Sequence, residues 1–194
     1  MPTTTAKTSP RERLLDAANE LFYAEGVHSV GIDRVIARAG VAKASLYSTF
    51  GSKDGLVRAY LDGRHEAMIG RLRAAVDEVD DPVEKMLAVL DAQAAHFARP
   101  DYRGCAFVAA AAEAPAEGQI AEATANYRNE VRNLFAELAT EAGIAEPAQL
   151  ADQLRLIYDG GSLAANLDHN AAIASSARTA ARILIDAATR VDAR

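Results

Sequence analysis

Apolar residues recur at every third or fourth position along almost all of this 194-residue chain, and no stretch alternates β-branched with polar residues. A chain with that rhythm cannot hide its apolar face in a sheet. It must pack helices on helices, so the expected fold class is all-α. Composition agrees, because alanine is abundant, tryptophan is absent and only six prolines interrupt. A chain of this length buries roughly 70% of its extended surface and needs no covalent staple.

Helix boundaries are marked by local chemistry. Ser9-Pro10-Arg11-Glu12 is a capping box with proline at the first helical position. Leu14, Leu15, Ala18, Leu21 and Phe22 follow on one face, and Gly26 suits a left-handed C-terminal cap. Two short helices are expected over 32–39 and 44–50, joined at Gly40-Val41 and closed by Gly51. Ser52 caps a long fourth helix reaching about residue 79. Asp81-Pro82-Val83-Glu84 opens a fifth, with Met86, Leu87, Leu90, Ala94 and Phe97 on its apolar side. Residues 105–114 are nearly all apolar, which predicts a short helix buried on every side. Helices over about 117–142, from Pro147, and over about 171–189 complete nine.

Several function classes fall away. The one cysteine, Cys105, excludes an internal disulfide framework and a thiolate zinc cage. Asp80, Asp81 and Glu84 have the look of a magnesium-binding cluster, but no second metal motif accompanies them, and Asp81 reads as a helix cap. His65, His96 and His169 are scattered singly. No phosphate loop, dinucleotide fingerprint or nucleophile elbow is present, so neither enzymatic activity nor a cofactor is expected. Residues 1–9 lack the apolar stretch of a signal peptide, and the longest apolar run, 105–112, is too short to cross a bilayer. These features predict a cytoplasmic protein without membrane contact.

The informative stretch is 31–50. A short amphipathic helix, a glycine turn and a second short helix form a helix-turn-helix. Gly40 permits the turn, while Val35, Ile36, Val41 and Leu46 set the angle between the helices. The second helix presents Ser45, Ser48 and Thr49, short enough to enter a major groove, and Lys43 and Lys53 flank it where phosphates would lie. Taken as a pattern, this could equally be a packed helical pair that binds nothing.

The residues themselves go further. Gly26 to Asp54, with Ala39-Gly40-Val41, Lys43, Ser45-Leu46-Tyr47, Phe50 and Ser52-Lys53-Asp54 at their spacings, strongly resembles the DNA-binding region of TetR-family transcriptional regulators. The likeness extends over about 8–68. Tyr102-Arg103-Gly104-Cys105, Leu150-Ala151-Asp152-Gln153-Leu154 and Tyr158-Asp159-Gly160 look like the ligand and dimerisation half of many members. The resemblance implies a helix-turn-helix DNA-binding domain over 8–55 and a ligand-binding and dimerisation domain over 56–194. It implies that Tyr47 touches a phosphate, that Lys53 clamps the backbone, that Lys43 adds charge and that Ser45, Ser48 and Thr49 face bases. Two departures stand out. The family usually has a hydroxyl residue where Val30 and Gly31 stand, which leaves Ser29 to cap the second helix. The recognition helix also has no Arg, Asn or Gln, the side chains that make the strongest bidentate base contacts. Specificity is then expected to rest on shorter contacts, water and DNA shape.

For the second half, the resemblance implies an apolar effector cavity drawing on Met68, Met86, Phe97, Cys105, Phe107, Tyr127 and Tyr158, with Arg128 and Asn166 as polar anchors. Cys105, beside Arg103 and near a helix start, reads as a small packing residue or as a reactive thiol. Small residues give the last two long helices smooth faces, and Leu154, Ile157, Gly161, Ala164, Ala177, Ala181 and Leu184 are expected to form a homodimer interface. Close packing within one chain would use such faces equally well. The expected function is a homodimeric repressor released from a palindromic double-stranded operator by a small, largely apolar effector. The alternative is an all-helical enzyme or small-molecule carrier without DNA binding.

The formal charge of −6 argues mildly against nucleic acid until it is divided. Residues 1–58 hold eight lysines and arginines against six acids, a net +2, and the remainder nets −8. The head is mildly basic, and the acid lies elsewhere.

Overall fold

The computed structural model describes residues 8–170 and 172–191. Expectations for residues 1–7 and for Ala171 lie outside the described residues. Within them are nine helices and no strand: α1 (Pro10–Glu25), α2 (Ile32–Ala39), α3 (Lys43–Phe50), α4 (Lys53–Asp77), α5 (Pro82–Phe97), α6 (Ala106–Glu113), α7 (Gln119–Glu141), α8 (Pro147–Leu167) and α9 (Ile173–Val191). None is long and apolar enough to cross a membrane. The chain divides into two compact units. One runs to Arg64 and takes in Ala106–Thr124; the other comprises His65–Cys105 and the chain from Ala125 onward.

In the first unit, α1 buries Leu14, Ala17, Ala18, Leu21 and Phe22. The capping box closes in both directions. The Glu12 amide donates to Ser9 Oγ at 3.2 Å, and the Ser9 amide donates to Glu12 Oε2 at 2.7 Å. That backbone donor holds the Glu12 carboxyl below its ordinary pKa. Gly26 does end α1, but at φ 91 and ψ 153, not in the left-handed helical region expected of it. The positive φ still requires glycine. Gly40 is left-handed (φ 61, ψ 42); its amide and that of Val41 turn back to Ala37 and Ile36 carbonyls at 3.2 and 3.4 Å.

The cap of α2 differs from expectation. Its N-cap is Gly31, with no side-chain acceptor, because Ser29 stands two residues too early to reach the first-turn amides. Ser52 caps α4 as expected, with Oγ 3.0 Å from the Gly55 amide. Helix α6 is not buried on every side. Phe107 and Ala110 are buried, while Val108 is 46% exposed. Alanine's small side chain leaves little apolar area to hide, so Phe107 and Ala110 are the apolar anchors of the helix.

In the second unit, Asp81 caps α5 by accepting from the Glu84 amide at 2.9 Å. Helix α5 buries Met86, Leu87, Val89, Leu90, Gln93 and Phe97. Gly143 (φ 73) stops α7, and the Ile144 amide returns to the Ala139 carbonyl at 3.0 Å. Helices α8 and α9 approach closely. A Cβ on Gly161 would lie 3.5 Å from the Ala177 Cβ. Arg178 pairs with Asp91 at 2.9 Å and Arg182 with Glu84, tying α9 to α5.

Candidate nucleic-acid interface

The helix-turn-helix is held by α1. Arg34 donates to both carboxylate oxygens of Glu25, at 2.5 and 2.7 Å, and Arg38 does the same to Glu20, at 3.2 and 2.7 Å. Arg34 keeps the Glu25 carboxyl below its usual pKa, chiefly through that hydrogen bond. Arg13 of α1 donates to the Gly40 carbonyl at 3.1 Å and so pins the turn itself. With Val35, Ala39 and Leu46 buried beneath, the α2–α3 angle is set from three sides.

That leaves one face of α3 open. Lys43, Ala44, Tyr47, Ser48 and Thr49 are exposed, and Ser45 is half-buried. The hydroxyls of Ser48 and Thr49 both donate to the Ser45 carbonyl, at 3.1 and 2.7 Å, which turns their lone pairs outward as acceptors. Such acceptors suit the exocyclic amino groups of cytosine and adenine. The N-cap of α3 is Ala42, again without a side-chain acceptor, so its first amides are left for an outside anion.

The charges are less free than the sequence suggests. The Lys43 ammonium donates to Asp33 Oδ1 at 2.9 Å, a hydrogen bond that raises its pKa. Lys53 Nζ lies 3.5 Å from the His28 carbonyl, which draws it to the α1–α2 loop that carries exposed Ser29. Asp33 and Arg13 are parts of this site that sequence reasoning missed. Asp33 sits ten residues before Lys43, a spacing with no meaning until the turn folds it back.

The residues expected around an effector separate. Phe107 is buried in the first unit; Met86, Phe97, Tyr127 and Tyr158 are buried in the second, where Met68 and Cys105 are half-buried. Tyr127 and Tyr158 meet hydroxyl to hydroxyl at 2.8 Å, and Gln93 donates to the Tyr158 carbonyl at 2.9 Å. Burial pushes both tyrosine hydroxyls well above their ordinary pKa. Neither expected polar anchor is waiting for a ligand. Arg128 is engaged by Asp159 at 2.7 Å, and Asn166 packs over Gly104, where a Cβ would fall 2.8 Å from its Cγ.

The residues expected at a dimer interface also divide. Leu154, Gly161 and Ala181 are buried within the protomer, whereas Ile157, Ala164, Ala177 and Leu184 are half-buried. A side chain with no exposed area has none to offer a partner. Small residues here bring α8 onto α9 within one chain. The open apolar surface lies one step round the helices, at Leu156, Leu163 and Leu167 of α8 and Ile183 of α9, each between 51% and 67% exposed. On α8 these positions, with exposed Gly160, follow a four-three-four spacing that forms one stripe. Leu184 also borders a cleft of about 280 Å³ with Ile144, Leu150 and Ala188.

The family model for bacterial regulatory proteins, tetR family, matches residues 14–60. Over nearly the full length, the chain is similar to the crystal structure of SCO4454, a TetR-family transcriptional regulator from Streptomyces coelicolor. The TM-score is 0.87 at 30% identity, covering 93% of this chain and 96% of that one. The HTH-type transcriptional activator FasR of Mycolicibacterium smegmatis is 35% identical over 82 residues, 42% of this chain but only 37% of FasR. The HTH-type transcriptional regulator LmrA of Bacillus subtilis is 27% identical over 158 residues, covering 79% of this chain and 84% of LmrA.

Proposed function

This chain belongs to the TetR family of DNA-binding transcriptional regulators, and on that premise we propose that it acts as a homodimeric repressor, released from a palindromic operator by a small, largely apolar effector. It is a regulator, not an enzyme. We assign DNA binding to residues 8–55, and ligand binding and dimerisation to 56–194, in a protein that works in the cytoplasm. The observation that carries the reading is the open face of α3. A recognition helix anchored on its inner side, with hydroxyl acceptors and an uncapped N-terminus on the outer side, is shaped for a major groove. Lys43, Tyr47, Lys53 and Ser29 take the phosphate side in this reading, and Ser45, Ser48 and Thr49 the bases.

A second copy is supported by the stripe Leu156, Leu163, Leu167 and Ile183, which is apolar and open in the single chain. Two recognition helices about 35 Å apart are needed to read a palindrome, and one chain carries one. Effector contact is assigned to Met68, Met86, Phe97, Cys105, Tyr127 and Tyr158 of the second unit. A neutral hydroxyl pair among apolar walls favours an uncharged effector. The effector need only prefer the released form by about 1–3 kcal/mol.

Titration of a palindromic duplex taken from upstream of the gene tests the reading. Affinity should fall steeply with salt, and Lys43→Gln or Lys53→Gln should each reduce the log–log salt slope by about one. A flat salt response, or equal affinity for random duplex, overturns it. Deleting the gene should raise transcription from the operator; a fall would make the protein an activator, as FasR is named.

A further inference from the structure

Helix α6 belongs to the first unit yet contributes no residue to the helix-turn-helix, and its last residue reaches into the α1–α2 loop. Glu113 Oε2 accepts the His28 amide at 2.8 Å, across 85 residues of sequence. Its other oxygen, Oε1, lies 2.3 Å from where a Cβ on Gly26 would stand. Gly26 therefore serves twice, supplying the positive φ that ends α1 and the bare Cα over which the carboxylate lies. The next peptide group, on the far side of the His28 Cα, meets α4, since the His28 carbonyl faces Lys53 Nζ at 3.5 Å. The backbone of one residue, His28, thus stands between the end of α6 and the first residue of α4.

The rest of α6 is lightly anchored. Phe107 and Ala110 are its buried residues, and Val108 is largely open. Little apolar area fixes this helix, so a shift of α6 would carry the Glu113 carboxylate with it. The loop that Glu113 grips carries Ser29 and leads into Gly31, the uncapped start of α2.

We propose that Glu113 is a positioning residue for DNA binding: its carboxylate latches the α1–α2 loop, sets the place of Lys53 through the backbone of His28, and makes the position of α6 a determinant of operator affinity. The Lys53 limb rests on the reading of Lys53 as a phosphate contact. The latch itself stands on the Glu113–His28–Gly26 geometry.

A double-mutant cycle on the full-length protein, with the palindromic duplex as probe, separates the two. Glu113→Ala should weaken operator binding about fivefold or more, within the usual range of coupling between sites, and should lower the salt slope as Lys53→Gln does. Combined with Lys53→Gln it should cost little further, because both act on one contact. Glu113→Gln, which keeps an acceptor oxygen, should recover part of the affinity. The His28 amide should exchange faster in Glu113→Ala, with helix content and melting temperature unchanged. If Glu113→Ala binds as wild type while Lys53→Gln weakens binding, the latch is overturned and the phosphate reading stands. If Glu113→Ala weakens binding while Lys53→Gln does not, the latch stands and the phosphate reading falls. If the loss of affinity only follows a lower melting temperature, and Glu113→Gln restores nothing, the role is structural and the proposal is overturned.

Discussion

Tyr127 and Tyr158 share one buried hydrogen bond, hydroxyl to hydroxyl at 2.8 Å. Burial raises both pKa values above the ordinary 10.0. Above pH 10 the unfolded chain ionises its tyrosines while these two stay protonated. The folded state then binds more protons, so the stability they contribute is intact below pH 10 and is lost as pH rises past it. Urea unfolding across this range should show that loss, and the double variant Tyr127→Phe/Tyr158→Phe should flatten it. An unchanged alkaline slope would remove the pair from the account. At this scale the sequence was only partly legible. It marked both tyrosines as apolar lining, but nothing in their spacing of 31 residues said that their hydroxyls meet. Lys43 likewise read as a bare charge, because its partner Asp33 is near only after Gly40 turns the chain.

Among the elements, glycine has opposite meanings in different places. At Gly40 the backbone is left-handed, so Gly40→Ala should cost about 1–2 kcal/mol. At Gly70, within α4, a Cβ would meet nothing within 4 Å, and Gly70→Ala should stabilise by about 0.5–1 kcal/mol. Thermal melts of the two variants should move in opposite directions, and a fall for Gly70→Ala would mean that α4 is restrained there. Element boundaries were legible where they depend on few residues: the box at Ser9, the caps at Asp81 and Ser52 and the stop at Gly143. Burial of α6 was not. Mean apolarity says how much a helix could hide, not which side meets a neighbour, and in an alanine-rich helix the two diverge. Helices α8 and α9 were legible only as surfaces of close approach. Small residues mark close approach, and the sequence does not say whether the approaching helix belongs to the same chain.

For the whole molecule, the division of charge matters more than its total. The head carries a net positive charge on residues 1–58, and the remainder carries the net acid. On the proposed reading, a mildly basic head would bind a single half-site weakly, and specific affinity would need two heads on one operator. Leu163→Glu, in the middle of the exposed α8 stripe, should therefore yield a folded monomer in sedimentation, with operator affinity reduced on the order of 10²-fold or more. A variant that remains dimeric would move the interface elsewhere. Both α2 and α3 begin without a side-chain acceptor, at Gly31 and Ala42. Each is a helix whose first turn is left open at the end that faces the proposed DNA. Phosphates bound there would supply the acceptors the chain omits, so the operator would act as the last structural component of the head. Recognition and the ordering of these helix ends would then be a single equilibrium, and the head would be most ordered where it is bound to DNA.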